Sequence, residues 1–494
     1  MKWALLSVWD KAGLPGLAKA LREHGVEILA SGGTGKALGQ AGIGFREISE
    51  YTGSPEMMDG RVKTLHPKIH AGLLGRKGID DRVMESLGIH PIDLLVANLY
   101  PFERMAAQGL PLGDLMEFID IGGPAMIRAA AKNYRHVAVV VDPLDYPLVI
   151  RALGQGDLTL EERLMLARKA FARTAAYDAA ISNHLHSLDM PLPLVYSAQF
   201  RNGRILRYGE NPHQLGAVYG EEGLAGEEPI QGREMSYNNY LDLDAAVALL
   251  REFDETCAVC VKHNNPCGVA TGDELRETYV AAREVDPDSS YGGIVALNRE
   301  VDAGTAEEIC STFIEVVTAP SFTPEALEAF RGKEKMRVLT IPEPAGGFSL
   351  RSIDGGLLVQ KTPPYREHWQ VVTERDPTGS ELQALKLGWR VCKHARSNAI
   401  VFADPVRTLG IGAGQTSRVD AARIAVMKAR FPLSGSAVAS DAFLPFPDTL
   451  EEAARAGATA LVQPGGSIRD REVIEAANRL DVAMIFTGVR HFRH

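Results

Sequence analysis

Short apolar runs recur along the first 140 residues, each followed by a stretch with helical spacing. Residues 3–8 (WALLSV) are one such run; Leu14, Leu17, Ala18 and Leu21 then recur at helical intervals, and VEILA (26–30) returns to strand character. A glycine-rich turn and a short helical stretch lead into FREIS (45–49), expected as a strand, and IDLLVAN (92–98) and HVAVVV (136–141) are further runs of strand length. Strands alternating with helices in this way predict an α/β domain whose parallel sheet is covered on both faces. Ligands of such sheets bind beyond the carboxyl ends of the strands, which directs attention to the loops after Val8, Ala30, Ser49 and Asn98.

Thr159 and Glu162 form a capping box that opens a long helical run rich in Ala, Leu and Arg. That run is expected to close a first domain over 1–190, with the Leu- and Pro-rich stretch 188–195 as linker. Beyond it, strands, helices and glycine-rich loops alternate less regularly up to His494, and 221–228 and 341–347 read as surface loops. A second break falls within 361–380, which has no clean period, and divides the remainder into modules at 196–370 and 371–494.

Composition agrees with this count, since 494 residues at roughly 150 per domain make about three domains. The net charge of −10 argues against a nucleic-acid or membrane partner. Five scattered cysteines are not a disulfide framework, so the reducing cytoplasm is the expected location. The apolar stretch in MKWALLSVWDK stops at Asp10, too short for a signal-peptide core with its flanks, so export is not expected. No apolar run approaches the roughly 18 residues of a membrane helix.

Candidate chemistry in the first half starts at SGGTGK (31–36), between a strand and a helix, where backbone amides and a helix N-terminus suit a phosphate. It is not a Walker loop, because Ala30 stands where a glycine is required and Ala37 follows the lysine. The loop 53–72 holds Arg61, Lys63, His66, Lys68 and His70, cations able to meet a phosphate or a developing oxyanion. Asp120 precedes a Gly-Gly helix start, and Lys132 ends that helix.

In the second half LRYGENPHQ (206–214) clusters Arg207, Tyr208, Asn211, His213 and Gln214. Lys262 and His263 directly follow an apolar strand: a histidine can take a proton from an attacking amine beside an ammonium that stabilises an oxyanion. Cys257 and Cys260 form a CxxC without a second pair, so they read as small hydrophobic residues. On the residues alone three readings stand: a phosphate-recognising transferase or ligase, a non-catalytic nucleotide sensor, and a zinc deaminase. The last needs H-x-E with P-C-x-x-C, and PCGV (266–269) lacks the second cysteine. The sensor leaves Lys262 and His263 without a purpose.

A resemblance sharpens this. SVWDK (7–11), LASGGT (29–34), GRVKTLHPKIHAG (60–72), NLYPF (98–102) and IDIGGPAMIRAAAKN (119–133) resemble, in order, the cyclohydrolase half of the bifunctional purine biosynthesis family that joins AICAR transformylase to IMP cyclohydrolase. RYGENPHQ (207–214), SYNN (236–239), VKHNNPCG (261–268), YGGIVALN (291–298), RSNAI (396–400), GIGAGQTSRVDA (410–421), SDAFLPFPD (440–448) and VRHFRH (489–494) resemble its transformylase half. The resemblance implies a methylglyoxal-synthase-like first domain and two cytidine-deaminase-like modules without zinc. It implies formyl transfer from 10-formyltetrahydrofolate to AICAR, then ring closure of formyl-AICAR to IMP. Catalytic roles fall on Lys63, Tyr100, Asp120 and Lys132 for cyclisation, with Lys132 as proton donor or acceptor, and on Lys262 and His263 for formyl transfer. Nucleotide contacts of the first half fall on Ser7, Trp9, Lys11, Ser31, Gly32, Gly33, Thr34, Arg61, Thr64, Asn98 and Ile121. AICAR contacts fall on Arg207, Tyr208, Asn239, Gly292, Glu315, Asn398, Arg418 and Arg490, and folate contacts on Val419, Phe443, Asp448, Ser467 and Ile468. Trp9 departs from the small hydroxyl residue common in the family, and Tyr240 from a small aliphatic one. The family implies a homodimer and no catalytic metal; a monovalent cation would be held by backbone carbonyls, which carry no side-chain signature.

Overall fold

Five parallel strands build the first sheet, in the spatial order Arg46–Glu47, Glu27–Ala30, Trp3–Ser7, Leu94–Ala97, Ala138–Val140. The chain is seen in a computed structural model that describes residues 1–494 except 31, 56, 59–61, 63, 189, 191, 347 and 362–365. Side chains alternate across the sheet as strand geometry requires. Leu5, Leu29, Leu95 and Val139 enter one apolar core, and Ala4, Leu6, Ile28, Val96 and Val140 the other. FREIS departs from expectation. Only Arg46 and Glu47 pair, and Ile48–Thr52 is helical because Ile48 and Tyr51, three residues apart, are both buried.

The capping box is formed, with Thr159 accepting the Glu162 amide and the Glu162 carboxylate accepting the Thr159 amide. It starts the helix Leu160–Ser187, which sends Leu166 into one core and Ala167, Ala170 and Tyr177 into the other. The described residues divide into two units, Met1–Gln199 and Phe200–His494.

The second unit uses one plan twice. Its first sheet runs Arg337–Thr340, Val316–Ala319, Ile294–Leu297, Cys257–Lys262, Asn265–Thr271, and its second runs Gln370–Val371, Ala483–Phe486, Ala460–Gln463, Ala437–Ser440, Ile400–Ala403, Thr408–Gly412. In each, an antiparallel hairpin forms one edge and three mutually parallel strands follow. The short strand Gln370–Val371 is the addition; it pairs with Phe486 and Ile485, so Gln370, expected to end the module 196–370, belongs to the second sheet. The two edge strands meet, the Thr271 amide donating to the Val406 carbonyl at 2.7 Å and the Val269 amide to the Thr408 hydroxyl at 3.1 Å. Helices Tyr237–Leu250 and Gly379–His394 lie against a core shared by both sheets, which includes Leu243, Leu250, Val259, Leu385, Trp389 and Val401. Among the described residues no helix is long and apolar enough to cross a membrane, and no group of three or more His, Cys, Asp or Glu is placed to hold a metal ion.

Candidate active sites

In the first sheet the strand order turns back between Trp3–Ser7 and Leu94–Ala97, the station where parallel sheets open a crevice. Asn98 stitches the two loops there. Its Oδ1 accepts the amides of Trp9 (2.5 Å) and Asp10 (3.0 Å), and its Nδ2 donates to the Asp10 carbonyl at 3.0 Å. The Lys11 ammonium folds back to the carbonyls of Val8 and Trp9, 2.7 Å from each. Burial lowers its pKa, against the opposing charge of Asp10. A Cβ on Gly33, in the first turn of helix Gly32–Gln40, would stand only 3.5 Å from that ammonium, so Lys11 faces the phosphate-type turn. The Thr34 hydroxyl is buried and engaged with Val8, accepting its amide at 3.0 Å and donating to its carbonyl at 3.1 Å.

A cavity of about 880 Å³ opens over these loops. It gathers ten expected residues into one place: Ser7, Trp9, Lys11, Gly33, Thr34, Thr64, Asn98, Tyr100, Asp120 and Ile121. Asp120 lies just ahead of helix Gly122–Lys132, and its Oδ1 accepts the Gly123 amide at 2.7 Å. A Cβ at Gly123 would collide with the Asp120 carboxylate and with Leu99, which is why a glycine is needed there. From the long helix, the Tyr177 hydroxyl accepts the Asp120 amide at 2.9 Å and donates to the Phe118 carbonyl at 2.7 Å. Burial raises the Asp120 pKa, opposed by the amides of Gly123 and Tyr100. Tyr100 is held as the neutral phenol by burial and then by the Asp120 charge. Trp9, 47% exposed, stands edge-on to Tyr100 with ring centres 5.2 Å apart.

Lys132 is not brought to this cavity. It is the last residue of the helix that starts beside Asp120, about 15 Å along its axis at 1.5 Å per residue. There it lines a separate hollow of about 430 Å³ with His70, Arg128 and Phe171. Ser31, Arg61 and Lys63 lie outside the described residues. Gly32 opens the helix with φ 56 and does not line the cavity. His66 has a structural role, its Nδ1 accepting the Lys68 amide at 3.2 Å to cap helix Pro67–Leu74.

In the second unit Lys262 ends its strand, and His263 with Asn264 makes the two-residue turn into the next. Lys262 and His263 line a cavity of about 480 Å³ between the hairpin edges, with Gln415 and Ile411 from the second sheet. The Lys262 ammonium donates to the Tyr291 carbonyl at 2.5 Å, and a Cβ on Gly292 would approach that ammonium to 3.6 Å. Asn239 is buried: it completes the capping box with Ser236, and its Nδ2 donates to Glu315 at 2.8 Å. Glu315 also faces Arg337 at 3.7 Å, a residue the sequence reading missed. Burial lowers the Arg337 pKa, opposed by the Glu315 charge, and Tyr208 carries the Arg207 guanidinium 5.5 Å over its ring. Asn211 and Gln214 serve their own turn, the Gln214 Oε1 accepting the Asn211 amide at 2.8 Å.

Asn398 pairs with Gln415, its Nδ2 donating to the Gln415 carbonyl at 2.9 Å. Arg418 lies 3.6 Å from the buried Asp441, and the guanidinium of Arg490 is 4.2 Å from the Phe492 ring that Arg418 also faces. Of the residues expected from the resemblance to meet folate, Phe443 and Asp448 follow strand Ala437–Ser440, and Ser467 and Ile468 follow its parallel neighbour Ala460–Gln463. They therefore share one end of the sheet with Val419, the second residue of helix Arg418–Lys428. Phe443 is 36% exposed and Ile468 fully so, while the Asp448 Oδ1 accepts the Thr449 amide at 2.7 Å.

Asp242 is a second residue that sequence reasoning missed. It follows Asn239 by three positions and so shares its helix face. Its Oδ1 accepts the Asn264 amide at 2.6 Å.

A parallel-sheet domain with an anion-ready crevice, followed by a twinned unit with a Lys-His pair on a hairpin, is the build of a two-site enzyme. A family model described as AICARFT/IMPCHase bienzyme matches residues 130–428, and one described as an MGS-like domain matches 13–125. The chain belongs to the AICARFT/IMPCHase bienzyme family. It is 50% identical to the bifunctional purine biosynthesis protein PurH of Sorangium cellulosum over 99% of each chain. It is 52% identical to that of Myxococcus xanthus over 99% of this chain and 100% of the relative. With that of Aquifex aeolicus the identity is 49%, over the same shares.

Proposed function

We propose that each unit carries one of the family's two reactions. The chain is a bifunctional enzyme of the last two steps of IMP biosynthesis: formyl transfer to AICAR, then dehydrative ring closure of formyl-AICAR to IMP. The transformylase reaction uses 10-formyltetrahydrofolate as formyl donor, a family property.

Cyclisation belongs to the first unit. The substrate phosphate rests on Ser7, Lys11 and the turn Ser31, Gly32, Gly33 and Thr34, where helix amides complement its charge. Ring closure moves two N–H protons onto the formyl oxygen, which departs as water. Asp120, with its raised pKa, takes a proton from the attacking carboxamide nitrogen. Tyr100, kept protonated, delivers one to the departing oxygen. Alignment by Thr64, Asn98 and Ile121 matters because an amide is a poor nucleophile. Arg61 and Lys63 are assigned to the same end by resemblance. Lys132, which lines its own hollow beyond the far end of the same helix, keeps the proton donor or acceptor role that the resemblance gives it. The observation that carries this assignment is the single cavity holding ten of the expected residues.

Formyl transfer belongs to the second unit. When bound, the folate supplies the formyl group. His263 accepts the proton that the AICAR amine loses as it forms the new N–C bond, and the Lys262 ammonium stabilises the negative charge on the formyl oxygen. Arg207, Tyr208, Asn239, Gly292, Glu315, Asn398, Arg418 and Arg490 hold AICAR, and Val419, Phe443, Asp448, Ser467 and Ile468 hold the folate. The enzyme works in the cytoplasm as a homodimer on small molecules, without nucleic-acid or membrane partners. Its net charge of −10 and five free cysteines support the location and the lack of a polyanionic partner, and the homodimer is carried over from the family resemblance.

Purified protein mixed with AICAR and 10-formyltetrahydrofolate is expected to yield IMP and tetrahydrofolate. Absence of both products from folded protein would overturn the reading.

A further inference from the structure

His263 and Asn264 are both in the left-handed backbone region, at φ 49 and φ 64. A two-residue hairpin loop demands that conformation, and glycine is the residue that adopts it without strain. Neither position here is glycine, and although histidine and asparagine tolerate this region better than most residues, a partner that holds the turn offsets the remaining strain.

The same fold makes this hairpin without such residues. In the second module the loop from Ile400–Ala403 to Thr408–Gly412 is longer, and none of Asp404, Pro405, Val406 or Arg407 has a positive φ. There the loop supplies its own carboxylate, Asp404 Oδ1 accepting the amides of Val406 and Arg407 at 2.8 Å each. In the first module the carboxylate comes from outside the loop. Asp242, on helix Tyr237–Leu250, accepts the Asn264 amide at 2.6 Å, and the neighbouring His263 amide faces it closely enough to oppose the rise that burial causes in its pKa. The helix is itself fixed by its capping box, and Asn239, one turn earlier, grips Glu315.

We infer that Asp242 is a positioning residue for formyl transfer: by holding the Asn264 amide it fixes the turn and keeps His263 in a left-handed conformation that presents the imidazole to the cavity. Supplying the carboxylate from the helix leaves the turn position free for the histidine. The inference rests on the assignment of proton acceptance to His263.

The test uses the full-length protein and both half-reactions, assayed separately. Asp242→Ala is expected to lower kcat for formyl transfer by about 10²-fold, the effect of misplacing a catalytic group by about 1 Å, with KM for AICAR little changed. Asp242→Asn keeps an acceptor oxygen and is expected to restore most of the loss. Asn264→Gly relieves the backbone strain at the turn: alone it is expected to act like wild type, and in the Asp242→Ala background to recover at least about tenfold. Cyclisation of supplied formyl-AICAR should be unchanged throughout.

Wild-type kcat in Asp242→Ala would overturn the inference. So would a loss that Asn264→Gly fails to relieve, which would mean that the carboxylate acts directly. A parallel fall in cyclisation would assign Asp242 to general stability and overturn it as well. His263→Ala separates the underlying reading: if that variant keeps formyl transfer, the histidine assignment fails whatever Asp242 does.

Discussion

Asn98 and Asp10 are joined backbone to side chain across the first sheet, Asn98 Oδ1 accepting the Asp10 amide and Nδ2 donating to the Asp10 carbonyl, both at 3.0 Å. With the Trp9 amide at 2.5 Å, one side-chain amide thus fixes the loop that carries Lys11. Asn98→Ala removes all three bonds. At about 1 kcal/mol per net hydrogen bond, KM for formyl-AICAR should rise about tenfold or more. Steady-state cyclisation kinetics check this, with formyl transfer as the unaffected internal control.

Tyr100→Phe removes the proposed proton donor and keeps the ring. Cyclisation kcat should fall by about 10²- to 10⁴-fold, while formyl transfer is retained. Burial and the Asp120 charge both hold the phenol protonated, so loss of activity through Tyr100 ionisation should begin only above the ordinary tyrosine range near about pH 10. An alkaline limb assigned to Tyr100 well below that pH would contradict its role.

Trp9 meets the cavity with its side chain and Asn98 with its backbone. Trp9→Phe should therefore preserve the edge contact with Tyr100, and Trp9→Ser should raise the cyclisation KM by about threefold to tenfold, the worth of an aromatic pair. IMP titration should change the tryptophan emission of wild type more than that of Trp9→Phe.

Acid stability offers a check on the twinned unit. Glu252 meets Lys393 at 2.8 Å and His394 at 3.1 Å, joining the ends of the two core helices. Burial alone would raise the Glu252 pKa, yet His394 and Lys393 together bring it down to about 2 from 4.5. Burial also lowers the pKa of His394, so that ring is a neutral donor near pH 7 and Lys393 supplies the counter-charge. A depressed carboxylate stabilises fully above its unfolded pKa and loses that stabilisation as pH falls from about 4.5 to about 2. Glu252→Gln should cost about 1–3 kcal/mol at pH 7 and little at pH 2, read by urea unfolding at both pH values.

Much of the first site was legible because its parts follow apolar strands. The runs ending at Ser7, Ala30 and Ala97 announced themselves by composition, and the chemistry sits just beyond each. FREIS misled because Ile48 serves two periods, and burial of Tyr51 selects the helical one. Lys132 shares a motif with Asp120 but not a location, since a helix of eleven residues carries its two ends apart. Asp242 and Arg337 carried no local signal. A lone carboxylate on a helix reads as a solvated face until the strand it touches is known, and Arg337 meets Glu315 only through pairing of neighbouring strands.

The cores of the twinned unit bear on where a gene boundary could fall. The residues of the first unit's two cores all lie before residue 200, whereas Leu243, Val259, Leu385 and Val401 fill one interior drawn from both later modules. A split near residue 200 would divide the chain into two parts, each keeping its own interior. A split near 370 would cut through a strand and leave two exposed halves of one core. The interior of the first unit is thus separate hardware, while the two later modules share one interior and must be inherited as a pair.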